Sequence, residues 1–98
     1  MTITKNQTNE LLTLFIEGRL DTTTAPELEA VLDASLDSAK DLVLDMEKLE
    51  YVSSAGLRVI LKAQKIMNTK GTMKLIHVND DIMEVFDITG FVDILTIE

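Results

Sequence analysis

The chain contains no cysteine, a single histidine and a single proline. Without cysteine it can form neither disulfides nor thiolate metal sites, and this absence is easiest to reconcile with a cytoplasmic location. No apolar run approaches the roughly 20 residues that a membrane-spanning helix needs. The N-terminus, Met1-Thr2-Ile3-Thr4-Lys5, also lacks the pattern of a signal peptide. These absences predict a cytoplasmic protein.

Basic residues are scarce: nine lysines and arginines stand against 17 acidic residues, giving a net charge of −8. Nucleic acids and anionic membranes are polyanions, so the charge predicts that neither is the main partner. The hydrophobic share of 46% and the charged share of 27% are typical of a globular protein. The length corresponds to one domain, residues 1–98.

The residues that usually carry catalysis are also missing. His77 is the only histidine and lies in a predicted strand, where a structural role is the commoner one. No glycine-rich phosphate loop occurs. Ser54-Ala55-Gly56 lacks the first glycine of a nucleophile elbow, and no second histidine could act as its base. We therefore expect no enzymatic activity, no cofactor and no metal site.

The first half of the chain shows two strand patterns and one helix pattern. Residues 2–6 and 10–19 are predicted to be strands of an antiparallel hairpin. The second strand has apolar residues on both faces, which is typical of a central strand. Residues 25–38 are predicted to form a helix, because apolar residues recur at helical spacing after Thr24-Ala25-Pro26-Glu27, which has capping-box spacing.

The second half alternates strands and helices. Strands are predicted at 42–46, 73–78 and 94–97, and helices at 54–68 and after Asn79, with Gly90 ending the last helix. Strands joined by helical crossovers are usually parallel. The predicted fold is a single small α/β domain. Its mixed central sheet consists of an N-terminal hairpin plus parallel strands and packs with about three to four helices.

Ser53 and Ser54 lie where a predicted strand meets the second long helix, so either could cap that helix, and an anion would be favoured there. On a helical wheel, one side of this helix is apolar and should face the sheet: Gly56, Val59, Ile60, Ala63, Ile66 and Met67. The opposite stripe holds Ser54, Arg58, Lys62 and Lys65, with Leu57 and Leu61 between the two sides. Two interpretations remain open: a solvated face with both leucines packed on a neighbouring helix, or a docking face with Ser54 at its top.

The stretch Val-Ser-Ser-Ala-Gly-Leu-Arg-Val-Ile-Leu, residues 52–61, resembles the signature of the STAS-domain anti-sigma factor antagonists, also called anti-anti-sigma factors. Residues 17–21, 42–45 and 88–91 match weaker motifs of that family in the same order and spacing. The resemblance spans essentially the whole chain and implies a STAS domain over residues 1–98.

In that family, a serine at the start of the second helix is phosphorylated by a partner that is both anti-sigma factor and serine kinase. The unphosphorylated antagonist binds this partner and frees the sigma factor, phosphorylation abolishes binding, and a serine phosphatase restores it. The resemblance implies that Ser54 is the acceptor, while Ser53, where the family usually has aspartate, remains a rival. Asp21 matches a family acid near the site.

The resemblance and the helical wheel together predict the following partner-binding residues: Asp21, Ser53, Ser54, Ala55, Gly56, Leu57, Arg58, Leu61 and Lys62. We expect the free protein to be a monomer. The alternative is a STAS module that is never phosphorylated and serves as a scaffold or ligand-binding unit of a transporter or a stress-signalling complex.

Overall fold

Five strands form one mixed sheet in the computed structural model, which describes residues 1–98. The strands are β1 (Thr2–Thr8), β2 (Leu11–Leu20), β3 (Asp41–Asp45), β4 (Leu49–Val52) and β5 (Thr72–Ile76). The helices are α1 (Ala25–Ser35), α2 (Ser54–Asn68) and α3 (Asp80–Thr89), with short 3₁₀ turns at Leu36–Ser38 and Phe91–Asp93. None of the helices combines the length and the apolar character that crossing a membrane would require.

Strand β2 is the centre of the sheet. It pairs antiparallel with β1 through a turn in which Asn9 has a left-handed φ of 56°. It pairs parallel with β3 over its first five residues and with β4 over its last three, and β3 pairs parallel with β5. The predicted hairpin, the central position of the second strand and the parallel crossovers are therefore confirmed.

The core lies on one face of this sheet. Alternate residues of β2 are completely buried there: Leu12, Leu14 and Ile16 are at most 1% exposed. They belong to a cluster that also contains Leu28 of α1 and Ile60 of α2. The other face is open, since Leu11 and Phe15 are each 42% exposed. Burial of one face and alternation along β2 fix the strand register, because a shift by one residue would turn the leucines outward.

The helix boundaries agree closely with the prediction. Helix α2 spans Ser54–Asn68, as predicted. Helix α3 has the predicted caps, since Asn79 Oδ1 accepts a hydrogen bond from the Ile82 amide at 2.8 Å and Gly90 has a left-handed φ of 81°. The α-helical part of α1 ends at Ser35, and a 3₁₀ turn continues to Ser38.

The predicted capping box at the start of α1 is wrong. The Thr24 side chain makes no capping hydrogen bond; its hydroxyl donates instead to the Arg19 carbonyl at 2.7 Å. The Asp21 carboxylate accepts hydrogen bonds from the amides of Thr23 and Thr24 at 3.0 and 3.1 Å, which orders the loop before the helix. The amide of the first helical residue, Ala25, donates to the Asp21 carbonyl at 2.7 Å, so backbone groups of this loop replace the side-chain cap.

Two strand predictions also differ from the structure. No strand is predicted between residue 46 and the helix at 54–68, but Leu49–Val52 forms β4 along the end of β2. The strand predicted at residues 94–97 is absent, and only one bridge, between Leu75 and Ile97, joins this segment to β5. The amides of Ile94 and Leu95 still donate to the Phe91 carbonyl, so the turn after α3 uses up most of the residues expected to form the strand.

Candidate functional site

The candidate site lies where β2, β4 and α2 meet. Leu20 pairs with Val52 at the ends of β2 and β4. The next amide, that of Ser53, donates to the Leu20 carbonyl at 2.8 Å. This bond places the start of α2 beside the loop that begins at Asp21. Sequence segments about thirty residues apart therefore form one surface.

The structure distinguishes the two serines, either of which could cap α2 on the evidence of the sequence. Ser53 is the N-cap of α2: its backbone is extended, its hydroxyl accepts the Gly56 amide at 3.3 Å, and it is half-buried. Ser54 is the first residue of the helix, is exposed, and its hydroxyl makes no hydrogen bond within the protein. First-turn amides without an intrahelical partner and the positive end of the helix dipole favour an anion at such a position.

Asp21 is held in place by its own loop. Its Oδ1 accepts hydrogen bonds from the Thr23 hydroxyl at 2.8 Å and from two backbone amides. The bond from the Thr23 hydroxyl is the main cause that lowers the pKa of Asp21 below the ordinary value of an aspartate. Arg19 Nε also lies 3.9 Å from Asp21 Oδ2. The site therefore carries a fixed carboxylate that is ionised at neutral pH.

The exposed stripe of α2 is present as predicted, because Ser54, Arg58, Lys62 and Lys65 are all exposed. Lys62 is not free, since its Nζ lies 3.1 Å from Glu29 Oε2 and 3.5 Å from Asp33 Oδ1 on α1. The hydrogen bond with Glu29 is the main cause that raises the pKa of Lys62. Lys62 thus joins α2 to α1.

Arg58 differs from Lys62, because no acidic side chain forms a salt bridge with it. It lies four residues after Ser54, one helical turn along the same face. An open cavity of about 300 Å³ adjoins it, lined by Ala55, Arg58 and Lys62 on α2 and by Thr22 and Glu29 on the α1 side. A cation without an acidic partner therefore lies one helical turn from the exposed serine and borders an open cavity.

Two of the predicted partner-binding residues are buried in the free domain. Leu57 is only 6% exposed and belongs to the core, so it offers little surface to a partner. Gly56 is also buried, and a Cβ added there would lie 2.6 Å from Leu20 Cγ. The reason for both is that the first turn of α2 packs directly on the end of β2. Ala55 and Leu61, which are half-buried, remain accessible.

The family model for the STAS domain matches residues 2–98. The chain belongs to the STAS domain family. The resemblance carried by the stretch at residues 52–61 is thereby confirmed at the level of the family.

Similar proteins agree with this membership. BtrV of Bordetella bronchiseptica is 34% identical over 99 residues, covering 99% of this chain and 85% of the relative. The anti-sigma-B factor antagonist of Staphylococcus aureus is 33% identical over 82 residues, covering 82% of this chain and 76% of the relative. The structure of the Bacillus cell fate determinant SpoIIAA in the phosphorylated form superimposes with a TM-score of 0.78 at 16% identity, covering 99% of this chain and 91% of that one. This last likeness shows the fold.

One pair of residues beside the site of this STAS domain was missed from the sequence. The Arg19 guanidinium stacks on the Tyr51 ring, 4.3 Å from its centroid, and Tyr51 is 41% exposed. The two residues face each other across the β2–β4 pairing. Recognising residues 49–52 as a strand would have indicated the pair, because both residues would then have been expected on one face.

A second polar group of the STAS domain consists of Asp45, Glu47 and His77, whose side-chain ligand atoms lie within 4.8 Å of one another. These are residue types that a divalent cation could use. Asp45 Oδ1 lies 3.1 Å from His77 Nδ1 and accepts the Glu47 amide at 3.0 Å. These hydrogen bonds explain the arrangement as a structural one that joins the ends of β3 and β5.

Proposed function

We propose that this STAS domain is an anti-sigma factor antagonist whose binding is controlled by phosphorylation of Ser54. Its unphosphorylated form binds an anti-sigma factor that is also a serine kinase, and the sigma factor is released. Phosphorylation of Ser54 ends the binding, and a serine phosphatase restores it. The free domain acts as a monomer in this scheme. The observation that carries the proposal is the exposed, unbonded hydroxyl of Ser54 at the start of α2.

The relatives support the class of function. The Staphylococcus aureus protein is named an anti-sigma-B factor antagonist, and the Bacillus protein of this fold has a phosphorylated form. The hydrogen bonds support the choice of serine. The Ser53 hydroxyl accepts the hydrogen bond that caps α2, whereas a kinase could reach the Ser54 hydroxyl without breaking any hydrogen bond within the protein.

A phosphate on Ser54 would act locally. It adds about −1.5 to −2 charges and three acceptor oxygens. The helix N-terminus and Arg58 would stabilise it in the free domain, so the fold should persist. In the complex, the same dianion would have to lose its water near the ionised Asp21. A penalty of about 3 to 4 kcal/mol corresponds to a loss of affinity of two to three orders of magnitude.

The docking face in this proposal is smaller than the predicted one. It consists of residues that surround Ser54 and remain accessible: Asp21, Ala55, Arg58 and Leu61. Ser53 and Gly56 shape the start of the helix, Lys62 fixes it to α1, and Leu57 supports it from the core. These four residues therefore position the docking face more than they contact the partner.

The test is phosphorylation of the purified domain by ATP and the serine kinases of its own source, with the modified residue located by mass spectrometry. Phosphate should be found on Ser54, should disappear in Ser54→Ala and should remain in Ser53→Ala. Ser54→Ala should still bind the kinase. Phosphate that persists in Ser54→Ala and disappears in Ser53→Ala would contradict the assignment. Stable binding to a partner without any phosphorylation would instead favour the scaffold alternative.

A further inference from the structure

The last twenty residues of the chain carry acidic residues without any basic ones. Residues 79–98 contain none of the nine basic residues and six of the 17 acidic ones, namely Asp80, Asp81, Glu84, Asp87, Asp93 and Glu98. Of these six, only Glu98 forms a salt bridge, with Lys74 at 3.5 Å. Most of the negative charge of this segment is thus unpaired, in contrast to α1, where Glu29 and Asp33 are paired with Lys62.

Exposed aliphatic side chains lie among these acids. Ile88 is 77% exposed, Val92 is 38% exposed and Ile94 is 49% exposed. The buried stripe of α3 contains Ile82 and Phe86, and at 100° per residue Ile88 lies on the opposite side of the helix. We call the following residues the acidic-apolar surface: Asp81, Glu84, Asp87, Ile88, Val92 and Ile94.

The stability of the domain does not account for this surface. Asp80 and Asp81 favour the start of α3 through the helix dipole, but Asp87 lies in its last turn, where a negative charge is unfavourable. Ile88 contributes little hydrophobic free energy to folding, because its side chain remains largely exposed. Apolar groups rimmed by charges of one sign are typical of an interaction surface.

We propose that the acidic-apolar surface docks a protein segment that carries lysine or arginine around an apolar stripe. The aliphatic side chains would be covered by the stripe, and the unpaired carboxylates would meet the cations. Charge excludes the main competitors, since nucleic acid, an anionic membrane and the same surface of a second copy would all be repelled. The acidic-apolar surface contains none of the residues of the docking face around Ser54, so docking there would not depend on phosphorylation of Ser54.

The probe is a synthetic amidated helical peptide of about four turns, with leucine along one face and lysine on the others. A matched peptide has glutamate in place of lysine. Both are titrated into the intact ¹⁵N-labelled protein, and the amide shifts are followed by NMR. The lysine peptide should bind saturably, with its largest shifts at residues 80–95, and the glutamate peptide should not. Raising the salt concentration should weaken binding several-fold.

Two variants and two matched controls test the location. Ile88→Ser should weaken peptide binding about tenfold, the value expected when one buried aliphatic side chain is lost. Asp87→Lys should weaken it several-fold. Phe15→Ser removes an exposed apolar group from the open sheet face, and Asp37→Lys reverses an exposed charge on the 3₁₀ turn after α1. Both controls should keep the parent affinity.

Three results would overturn the proposal. The first is a set of amide shifts spread evenly over the acidic residues of the whole chain. The second is an equal loss of peptide affinity in Asp87→Lys and Asp37→Lys. The third is an unchanged peptide affinity in Ile88→Ser. Ile88 is largely exposed, so Ile88→Ser should keep the melting temperature of the parent, and a thermal denaturation curve checks this. A concentration-dependent dimer of the parent that Ile88→Ser abolishes would also overturn the proposal, because the occupant would then be a second copy.

Discussion

The exposed faces of α2 and α3 differ in how their charges are compensated. On α2 one cation of the exposed stripe, Lys62, is held by Glu29 and Asp33 of the neighbouring helix α1. On α3 the acids have no cation within reach, and an isoleucine lies among them. The exposed face of α2 therefore contributes to the tertiary structure through Lys62. The groups on it that remain free to meet a partner are the Ser54 hydroxyl, Arg58, Lys65 and the half-buried Leu61.

This difference indicates two ways of recognising a partner. At the start of α2, the structure is rigidly defined by a cap, a close helix–strand contact and a bonded carboxylate, so a single added phosphate can change binding without changing the fold. The outer face of α3 is not fixed by such contacts and offers charge and apolar area together. The first suits a switch and the second suits a constant attachment.

The largest expected effect is on binding at α2. Ser54→Asp should reduce affinity for the kinase partner by two to three orders of magnitude, about 3 to 4 kcal/mol, because it places in the docking face a negative charge that must lose its water in the complex. Its melting temperature should stay within a few degrees of the parent, since an acid at the first turn suits the helix dipole. Isothermal titration calorimetry and thermal denaturation check the two halves of this prediction.

The control for that substitution is Thr8→Asp, which adds the same charge at the exposed end of β1. It should leave the affinity unchanged. If Ser54→Asp unfolds the domain, or if Thr8→Asp weakens binding equally, the local account of the switch fails.

The second prediction compares a glycine at the start of α2 with one at the end of α3. Gly56→Val should lower the free energy of unfolding by about 3 kcal/mol, because the new side chain would overlap Leu20 and Val52. Gly90→Ala should cost only about 1 to 2 kcal/mol. Its Cβ would meet nothing within 4 Å, and the cost comes from the left-handed φ of 81°. Urea denaturation measures both, and equal losses would contradict the close packing at α2.

The sequence predicted α2 and α3 well because their signals are local. An apolar stripe, a capping side chain and, for α3, a glycine at the end define each helix within its own residues. It also predicted the exposed stripe of α2, which follows from the helical period. Membership in the STAS family could be predicted from one ten-residue motif supported by three weaker ones.

The remaining features depend on residues distant in the sequence. Strand β4 has only four residues, and it exists because it can pair with the end of β2. The pairing of Lys62 with Glu29 requires the packing of α2 on α1. Burial of Leu57 requires the close approach of α2 to β2, which a helical wheel cannot show. Which of the two serines caps α2 likewise depended on which hydroxyl turns back to the Gly56 amide.

The third prediction compares the two helix caps. Ser53→Ala should lower the free energy of unfolding by about 1 kcal/mol, since its hydroxyl accepts one amide at 3.3 Å. Asn79→Ala should cost more, about 2 kcal/mol, because Asn79 accepts the Ile82 amide at 2.8 Å and also donates to the Leu49 carbonyl at 3.0 Å. Chemical denaturation of the two variants measures the difference. A larger loss for Ser53→Ala would mean that the Ser53 hydroxyl has more than a capping role.

The smallest expected effect concerns one acid from each region. Asp21→Asn removes a charge that its loop stabilises, whereas Asp87→Asn removes a charge at the unfavourable end of α3. At neutral pH the first should therefore be slightly less stable than the parent, and the second equally or slightly more stable. Denaturant midpoints measured at neutral pH test these opposite changes in stability. A lower midpoint than the parent in both variants would contradict the contrast between the two regions.

The pH dependence identifies the cause at Asp21. Because folding lowers its pKa below 3.8, the ionised carboxylate stabilises the folded state above that pH, and this contribution is lost as the pH falls through the lowered value. The stability difference between the parent and Asp21→Asn should therefore be constant near neutrality and vanish in acid. A stability difference that persists unchanged at low pH would mean that Asp21 acts through its shape and not through its charge. Repulsion between a fixed negative charge at Asp21 and a phosphate on Ser54 could then not explain the loss of partner binding.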